Sequence, residues 1–200
     1  KDSLSINDVG DNPLEFFRRW FQDADNSDEI IESNAMTLST VENNVPSSRV
    51  VLLKEIKDRS LVFFTNYDSN KGRAISDNPN VCASFYWPPL ERQVVFKGIA
   101  KKTDNDYSDT YFSSRPYKSQ AAAIVSKQSE VIYSYEDLLF RYNKLLNENK
   151  DSIFKRPDNW GGIEINIQEI EFWQGRENRL HNRVVCRLIN GKWDIQLLSP

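Results

Sequence analysis

The fold class is indicated by two segments, G-I-E-I-N-I-Q-E-I-E-F-W-Q-G at 162–175 and R-V-V-C-R-L-I-N-G-K-W-D-I-Q-L-L at 183–198. Apolar and polar residues alternate in both, and this period of two is typical of a strand with one buried face. Asn190-Gly191 predicts a two-residue hairpin turn between the last two strands. The predicted strands in this region are 162–166, 169–173, 183–189 and 193–198.

Working outward, the same pattern predicts further strands over 35–41, 49–54, 61–65, 81–87 and 93–101. Helical spacing predicts helices over 13–24, 71–78, 104–113, 119–125 and 134–149. Asn12 and Pro13 have the residue types of a helix cap and a first turn. The predicted connections are a turn-rich loop at 42–48, a hairpin that joins 49–54 to 61–65, and a linker at 150–159.

The order of these elements favours one antiparallel domain. The strands do not alternate regularly with helices, which argues against a doubly wound parallel sheet. Many short strands with turn signals are typical of an antiparallel barrel, and the inserted helices make the class α+β. We expect a single domain over 12–200, preceded by a polar, flexible segment at 1–11.

Composition excludes several kinds of function. The net charge of the 200-residue chain is −3, so no general basic field attracts nucleic acid. No apolar run approaches the roughly 20 residues of a membrane span, and no signal peptide is visible, so we expect a cytoplasmic protein. The two cysteines lie far apart and there is a single histidine, so we predict no metal site. A serine hydrolase is disfavoured because the chain lacks a G-x-S-x-G elbow.

Local clusters of cations are the candidate anion sites. Arg49 and Lys54 bracket one predicted strand, and Lys71 opens a predicted helix, where free backbone N–H groups favour a phosphate. The loop S-S-R-P-Y-K-S at 113–119 combines an Arg, a Lys and several hydroxyls. Solvated surface charge is the alternative interpretation of each cluster.

A third cluster lies near the C-terminus. Arg179, His181 and Arg183 alternate, so in an extended segment they share one face. Three cationic or cationisable groups on one face repel one another unless an anion lies among them. An exposed polar strand face is the alternative.

Short blocks in a characteristic order carry a family resemblance. They are R-V-V-L-L-K at 49–54, F-F-T-N at 63–66, N-P-N-V at 78–81, L-E-R-Q-V at 90–94, Y-F-S-S-R-P at 111–116, V-S-K-Q-S at 125–129, W-G-G at 160–162, I-E-F-W-Q-G at 170–175, R-L-H-N-R at 179–183 and L-L-S-P at 197–200. With these blocks the chain resembles the pyridoxine (pyridoxamine) 5′-phosphate oxidases from about Asn12 to Pro200. The resemblance implies an antiparallel, Greek-key-like split β-barrel with flanking helices, working as a homodimer with FMN between the subunits.

The resemblance also implies site residues, some of which would reach the flavin from the partner chain. The implied flavin contacts are Arg49, Val50, Leu52, Leu53, Lys54, Phe64, Thr65, Ser69, Asn70, Lys71, Gln93, Gln128, Ser129, Trp173 and Arg183. The implied pocket for the substrate phosphate is Lys54, Tyr111, Arg115 and Ser119. Arg179 and His181 match the catalytic pair over the substrate ring. Two positions depart from the common pattern: Asn70 stands where many members carry Arg, and Asn182 stands where many carry Asp.

The implied reaction passes hydride from C4′ of pyridoxine 5′-phosphate or pyridoxamine 5′-phosphate to the flavin, giving pyridoxal 5′-phosphate. Dioxygen then accepts the electrons and becomes hydrogen peroxide. The alternatives are a phenazine-pathway flavin oxidase of the same fold, a non-catalytic protein that binds flavin or a B6 phosphate, and a barrel without cofactor. The oxidase interpretation predicts that Arg49, Lys71, Arg115 and Arg179 converge around one cleft.

Overall fold

The computed structural model describes residues 3–149 and 153–200, which form one antiparallel sheet with helices around it. The strands are β1 (Ala35–Glu42), β2 (Val45–Leu52), β3 (Glu55–Ile56), β4 (Ser60–Asn66), β5 (Asn80–Trp87), β6 (Arg92–Lys102), β7 (Trp160–Gln174), β8 (Asn182–Ile189) and β9 (Lys192–Leu198). The helices are α1 (Ile6–Val9), α2 (Pro13–Asp25), α3 (Asn70–Asp77), α4 (Asn105–Ser114), α5 (Tyr117–Val125) and α6 (Tyr135–Glu148). Among these helices, none has the length and apolar character that crossing a membrane requires.

Strand β7 organises the sheet. Strand β6 pairs with one edge of β7, whereas on the other edge β4 pairs with residues 160–166 and β8 pairs with residues 169–174. The sheet therefore branches at β7, and the main path runs β2-β1-β5-β6-β7-β4-β3. The predicted antiparallel α+β class is confirmed. In the described residues, however, β2 and β3 end the path, so the sheet does not close into a complete barrel.

Helix α2 supplies the aromatic side of the main core. Its predicted start is confirmed, because the Asn12 side chain accepts a hydrogen bond from the Leu14 N–H. Phe17 on this helix is fully buried, with its ring centroid 4.7 Å from that of Phe96 and 5.3 Å from that of Phe85. These contacts hold α2 across β5 and β6.

The pairing of β2 differs from the prediction. Strand β2 pairs along its whole length with β1, through a turn at Asn43 and Asn44 in which both residues have positive φ. Most of the expected 42–48 loop is therefore strand. The predicted hairpin into 61–65 forms, but its first strand is the short β3. Of the predicted strand 49–54, Lys54 reaches β4, where its N–H donates to the Val62 carbonyl at 2.8 Å.

The predicted strands 162–166 and 169–173 are a single strand, β7. Its register against β6 shifts between Lys97 and Gly98, so that Gln168 has no partner on β6. This bulge explains the broken alternation, because it turns both Ile167 and Ile170 toward the core. The predicted Asn190-Gly191 turn is confirmed, since both residues have the positive φ that such a turn requires.

The N-terminal segment also differs from the prediction. We expect a flexible segment at 1–11, but residues 6–9 form α1, and Leu4 and Val9 are buried in the main core. These two apolar side chains give the segment a packed position. Residues 1 and 2 and the linker residues 150–152 lie outside the described residues.

The core contacts of Phe17 lead to a stability prediction. Replacing Phe17 by Ala removes a fully buried ring, and we expect the free energy of unfolding to fall by about 3–5 kcal/mol. The matched control is Ile31→Ala, because Ile31 is 98% exposed and its truncation changes stability by about 0.5 kcal/mol or less. Urea unfolding measures both variants, and an equal effect would contradict the placement of α2.

Candidate functional site

A cavity of about 750 Å³ lies between β2 and β4 on one side and α4 and α5 on the other. It brings together residues from both of the predicted sites. The predicted residues that line it are Val50, Leu52, Lys54, Phe64, Thr65, Lys71, Tyr111, Arg115, Ser119 and Gln128. The predicted flavin and substrate-phosphate groups thus meet in one place.

Lys71 is the buried cation at one end of the cavity. Ser69 caps α3 through its side chain, and Lys71 follows in the first turn of that helix. The Lys71 Nζ donates to Thr65 Oγ1 at 3.1 Å, to Ser69 Oγ at 3.1 Å and to Gln128 Oε1 at 3.0 Å. These acceptors are all neutral, so within the described residues the charge has no carboxylate partner.

Two causes lower the pKa of Lys71 to about 8. Burial is the larger cause, and the positive charge of Arg49 is the second. A bound anion would favour the charged form and oppose both effects. The site at the start of α3 therefore fits a phosphate, which the partial positive charge at the N-terminus of the helix would also favour.

Arg49 lies beside Lys71 and is likewise held by neutral groups. Its guanidinium donates to the Thr40 hydroxyl at 2.8 Å, to the Leu38 carbonyl at 3.3 Å and to the Ser47 hydroxyl. Burial lowers the pKa of Arg49, but an arginine keeps its charge at neutral pH. Arg49 and Lys71 thus place two cations near one end of the cavity with no carboxylate between them in the described structure.

Arg115 provides a separate cation on the cavity wall, just after α4. Its Nη1 atom is buried and is the one buried side-chain nitrogen or oxygen of the described residues without a hydrogen-bond partner. A buried donor left unpaired is costly, so such an atom points to a missing acceptor. Ser119 also lines the cavity, and the two residues fit an anion such as the phosphate of a small ligand.

Aromatic rings form an aromatic wall in the same cavity. The rings of Phe64 and Tyr111 stack at 3.6 Å, and Trp160 lies parallel to Phe64 at 5.6 Å. Burial raises the pKa of the Tyr111 phenol, so that group stays neutral and can donate a hydrogen bond. The wall is flat and apolar, which suits a planar ring.

A second group of predicted residues does not line the cavity. Gln93, Trp173 and Arg183 lie side by side across β6, β7 and β8, since Trp173 is the register partner of the other two. The His181 ring packs on Trp173 with the centroids 4.6 Å apart. The Arg183 guanidinium pairs with Glu171 at 2.8 Å. These residues form a second cluster at the far end of β7, which we call the C-terminal cluster.

The predicted extended segment at 179–183 is wrong in its first half. Residues 177–179 form a turn of 3-10 helix, and Asn178 and Arg179 have positive φ. Arg179 is therefore exposed on this turn and not aligned with Arg183 on one strand face. Of the four cations expected around one cleft, Lys71 and Arg115 line the cavity. Arg49 does not line it, but its charge acts on Lys71. Arg179 does not line the cavity of its own chain.

The remaining predicted residues have other positions. The Leu53 side chain is buried in the main core. Ser129 accepts a hydrogen bond from the Asn70 N–H, so both lie at the start of α3 next to Lys71. The side chains of the two atypical residues are engaged: Asn70 accepts from Arg73 at 2.7 Å, and Asn182 accepts from the Leu4 N–H at 3.2 Å.

Two family models match the chain. Residues 24–147 match the model described as pyridoxamine 5′-phosphate oxidase, and residues 160–200 match the model described as the C-terminal dimerisation region of pyridoxine 5′-phosphate oxidase. The chain belongs to the pyridoxamine 5′-phosphate oxidase family. The family assignment made from the sequence is thereby confirmed.

Individual relatives cover the whole chain. A pyridoxine/pyridoxamine 5′-phosphate oxidase of Flavobacterium psychrophilum is 45% identical, over 100% of this chain and 94% of the relative. A protein of Hydrogenovibrio crunogenus named pyridoxine/pyridoxamine 5′-phosphate oxidase 2 is 47% identical with the same coverage. Among solved structures, PhzG from Burkholderia lata 383, in complex with tetrahydrophenazine-1-carboxylic acid, has a TM-score of 0.92 at 27% identity and covers 100% of this chain and 98% of that one.

The sequence interpretation missed several residues of the cavity wall. Asn66, Ser114, Ser126 and Trp160 line it without having been assigned a role. The W-G-G block at 160–162 contained a usable signal, because two adjacent glycines in a strand indicate a close approach. At Gly161 a Cβ would lie 2.1 Å from the Tyr67 hydroxyl, so the strand can pass here only without a side chain.

The lowered pKa of Lys71 leads to a pH prediction for this family member. Lys71 must be protonated to attract a phosphate, so FMN affinity should fall roughly tenfold as the pH rises from 7 to 9. Fluorescence quenching of FMN at several pH values measures this dependence. The matched control is Lys71→Arg, which stays charged and should show a much flatter profile. Equal profiles for the two proteins would contradict the role of Lys71.

Proposed function

We propose that the protein is an FMN-dependent oxidase that converts pyridoxine 5′-phosphate or pyridoxamine 5′-phosphate to pyridoxal 5′-phosphate. One observation carries the proposal: a single cavity is lined by two cations, the buried Lys71 and the half-buried Arg115, that lack carboxylate partners in the described structure. Two cationic sites in a cavity that aromatic rings also line suit two phosphorylated ring compounds. The family membership and the relatives' names support this choice of ligands.

Different residues bind the two ligands. Lys71, Ser69 and Arg49 hold the FMN phosphate at the start of α3, and Phe64, Val50 and Leu52 contact its ring. Lys54, Arg115 and Ser119 hold the substrate phosphate, and the Tyr111 hydroxyl donates to it. When bound, FMN supplies the hydride acceptor and returns the electrons to dioxygen. The contribution of the protein is to hold both rings in contact and to exclude water.

His181 contributes a hydrogen-bond donor of defined orientation. Its Nδ1 accepts a hydrogen bond from the Arg176 N–H at 3.1 Å, so the neutral imidazole carries its proton on Nε2. Packing against Trp173 fixes the plane of the ring. Nε2 is then available to donate to the substrate, while the exposed Arg179 beside it supplies a positive charge over the substrate ring.

The C-terminal cluster must come from a second subunit. Trp160 lines the cavity, and Trp173 is thirteen residues further along the same strand, on the order of 40 Å in an extended strand. One chain therefore does not bring both ends of β7 to one ligand. We propose a homodimer in which the C-terminal cluster of each subunit completes the cavity of the other, in line with the matched dimerisation region.

Turnover is tested directly with the FMN-loaded protein. Without oxygen, pyridoxine 5′-phosphate or pyridoxamine 5′-phosphate should bleach the yellow flavin, and admitted oxygen should restore the colour with formation of pyridoxal 5′-phosphate and hydrogen peroxide. Unphosphorylated pyridoxine is the matched control, and it should react far more slowly because Arg115 and Ser119 have no anion to bind.

Other outcomes favour other functions. Bleaching by tetrahydrophenazine-1-carboxylic acid but by neither B6 phosphate would support a phenazine-type oxidase, the function suggested by the likeness to PhzG. Tight FMN binding without any bleaching would support a non-catalytic flavin protein. A protein that takes up no FMN would refute the proposal.

The composite site leads to a complementation prediction. Arg179→Ala should keep FMN but lose turnover, and Arg115→Met should also lose turnover, because each homodimer has both of its sites damaged. After the two variants are mixed, unfolded and refolded together, half of the dimers carry one intact site, so roughly a quarter of wild-type activity should return. A mixture that stays inactive would place the two residues in the same subunit's site.

A further inference from the structure

Arg115 is held differently from the other arginines in the interior. Arg156 pairs with Asp109 at 2.6 Å, and Arg183 pairs with Glu171 at 2.8 Å. Arg115 instead has its guanidinium carbon 4.5 Å from the ring centroid of Trp160 and 5.9 Å from that of Phe112. Within the described residues it makes no ion pair, and its Nη1 is unpartnered.

The indole under Arg115 is itself fixed in place. Trp160 is the first residue of β7 and is 7% exposed. Its carbonyl accepts a hydrogen bond from the Arg156 guanidinium at 2.6 Å, and the same guanidinium contacts Asp109 and Asn105 of α4. Arg156 therefore ties the start of β7 to α4, which is the helix that leads into Arg115.

The indole also belongs to the aromatic wall of the cavity. The planes of Trp160 and Tyr111 differ by 9°, and those of Trp160 and Phe64 differ by 16°. The Phe112 ring meets Trp160 edge-on at 5.3 Å. With ring contacts on several sides, the indole has little freedom to tilt and so defines a fixed plane for the guanidinium.

We propose that Trp160 is a positioning residue for recognition of the substrate phosphate, and that its indole face holds Arg115 in place of a carboxylate. This inference rests on the proposed function. A carboxylate would orient the guanidinium but would also neutralise it and occupy its donors. An aromatic face attracts the cation through its quadrupole and leaves both the charge and the N–H donors for the phosphate.

The test is a steady-state comparison of Trp160→Leu and Trp160→Phe in the FMN-loaded protein. Loss of the cation–π contact should raise KM for pyridoxine 5′-phosphate about three- to thirty-fold in Trp160→Leu, a larger effect than any change in kcat. Trp160→Phe keeps a weaker aromatic face, so its KM should lie between those of the wild type and the Leu variant. A fall in kcat at constant KM would overturn the inference.

Phe154→Leu is the matched control. Phe154 belongs to the same buried cluster as Trp160 and stacks on Tyr117 at 4.6 Å. In the described part of the chain the rings under Arg115 are those of Trp160 and Phe112, not that of Phe154. It should lower the thermal midpoint much as Trp160→Leu does but leave KM unchanged. Equal KM increases in both variants would show a general packing effect and would refute the positioning role. If Trp160→Leu does not fold, the KM of Trp160→Phe is compared with that of Phe154→Leu instead. A rise in Trp160→Phe alone supports the inference, and equal values refute it.

A double-mutant cycle separates this role from structure in general. In an Arg115→Met background, Trp160→Leu should not weaken the binding of inorganic phosphate any further in a calorimetric titration, because the group that it positions is absent. An additive loss of binding would overturn the inference while leaving the oxidase function intact.

If the wild type oxidises neither B6 phosphate, the proposed function fails, but the inference can still be tested with inorganic phosphate. Calorimetric titration should then show weaker phosphate binding in Trp160→Leu than in Phe154→Leu. Equal binding in the two variants would overturn the inference.

Discussion

The site depends on one constraint, the branched pairing of β7. Its first half is hydrogen-bonded to β4 and its second half to β8, while β6 runs along the other edge. Trp160 at one end is thereby fixed in the cavity, and Trp173 at the other is fixed in the C-terminal cluster. The bulge at Gln168 lets both halves bury their apolar face. The two ends of β7 therefore carry two separate groups of side chains within one chain.

Electrostatics give the cavity its chemical character. The chain carries a net charge of −3, and many of its cations are paired with carboxylates at the surface of the sheet, as Lys97 and Arg187 are with Glu169. Lys71, Arg49 and Arg115 are held by neutral hydroxyls, amides and rings instead. A buried cation without an anionic partner costs stability, so the surroundings of Lys71 favour the binding of an anion there.

Local signals in the sequence predicted local structure well, and non-local structure less well. The Asn12 cap, the Asn190-Gly191 turn and the position of Lys71 at the start of a helix depend on neighbouring residues, and all three were predictable. The pairing of β2 with β1 depends on a turn at Asn43-Asn44 that has no glycine. The alternation at 179–183 indicated an extended strand, but Arg179 has positive φ in a turn. That conformation depends on the whole turn and could not be predicted from the alternation. The family resemblance supplied site residues that periodicity does not reveal.

The two atypical residues, Asn70 and Asn182, both make side-chain hydrogen bonds in this chain. The Asn70 side chain accepts a hydrogen bond from Arg73, so the guanidinium of Arg73 lies at the start of α3. The Asn70 N–H donates to the Ser129 hydroxyl. Asn182 accepts from the Leu4 N–H, and this contact joins the packed N-terminal segment to the R-L-H-N-R block. A neutral amide can make this bond as a carboxylate would, but it leaves Arg179 and Arg183 without an added negative charge beside them. Both asparagines thus take part in hydrogen bonds here, and both lack the charge of the residue that is common at their position.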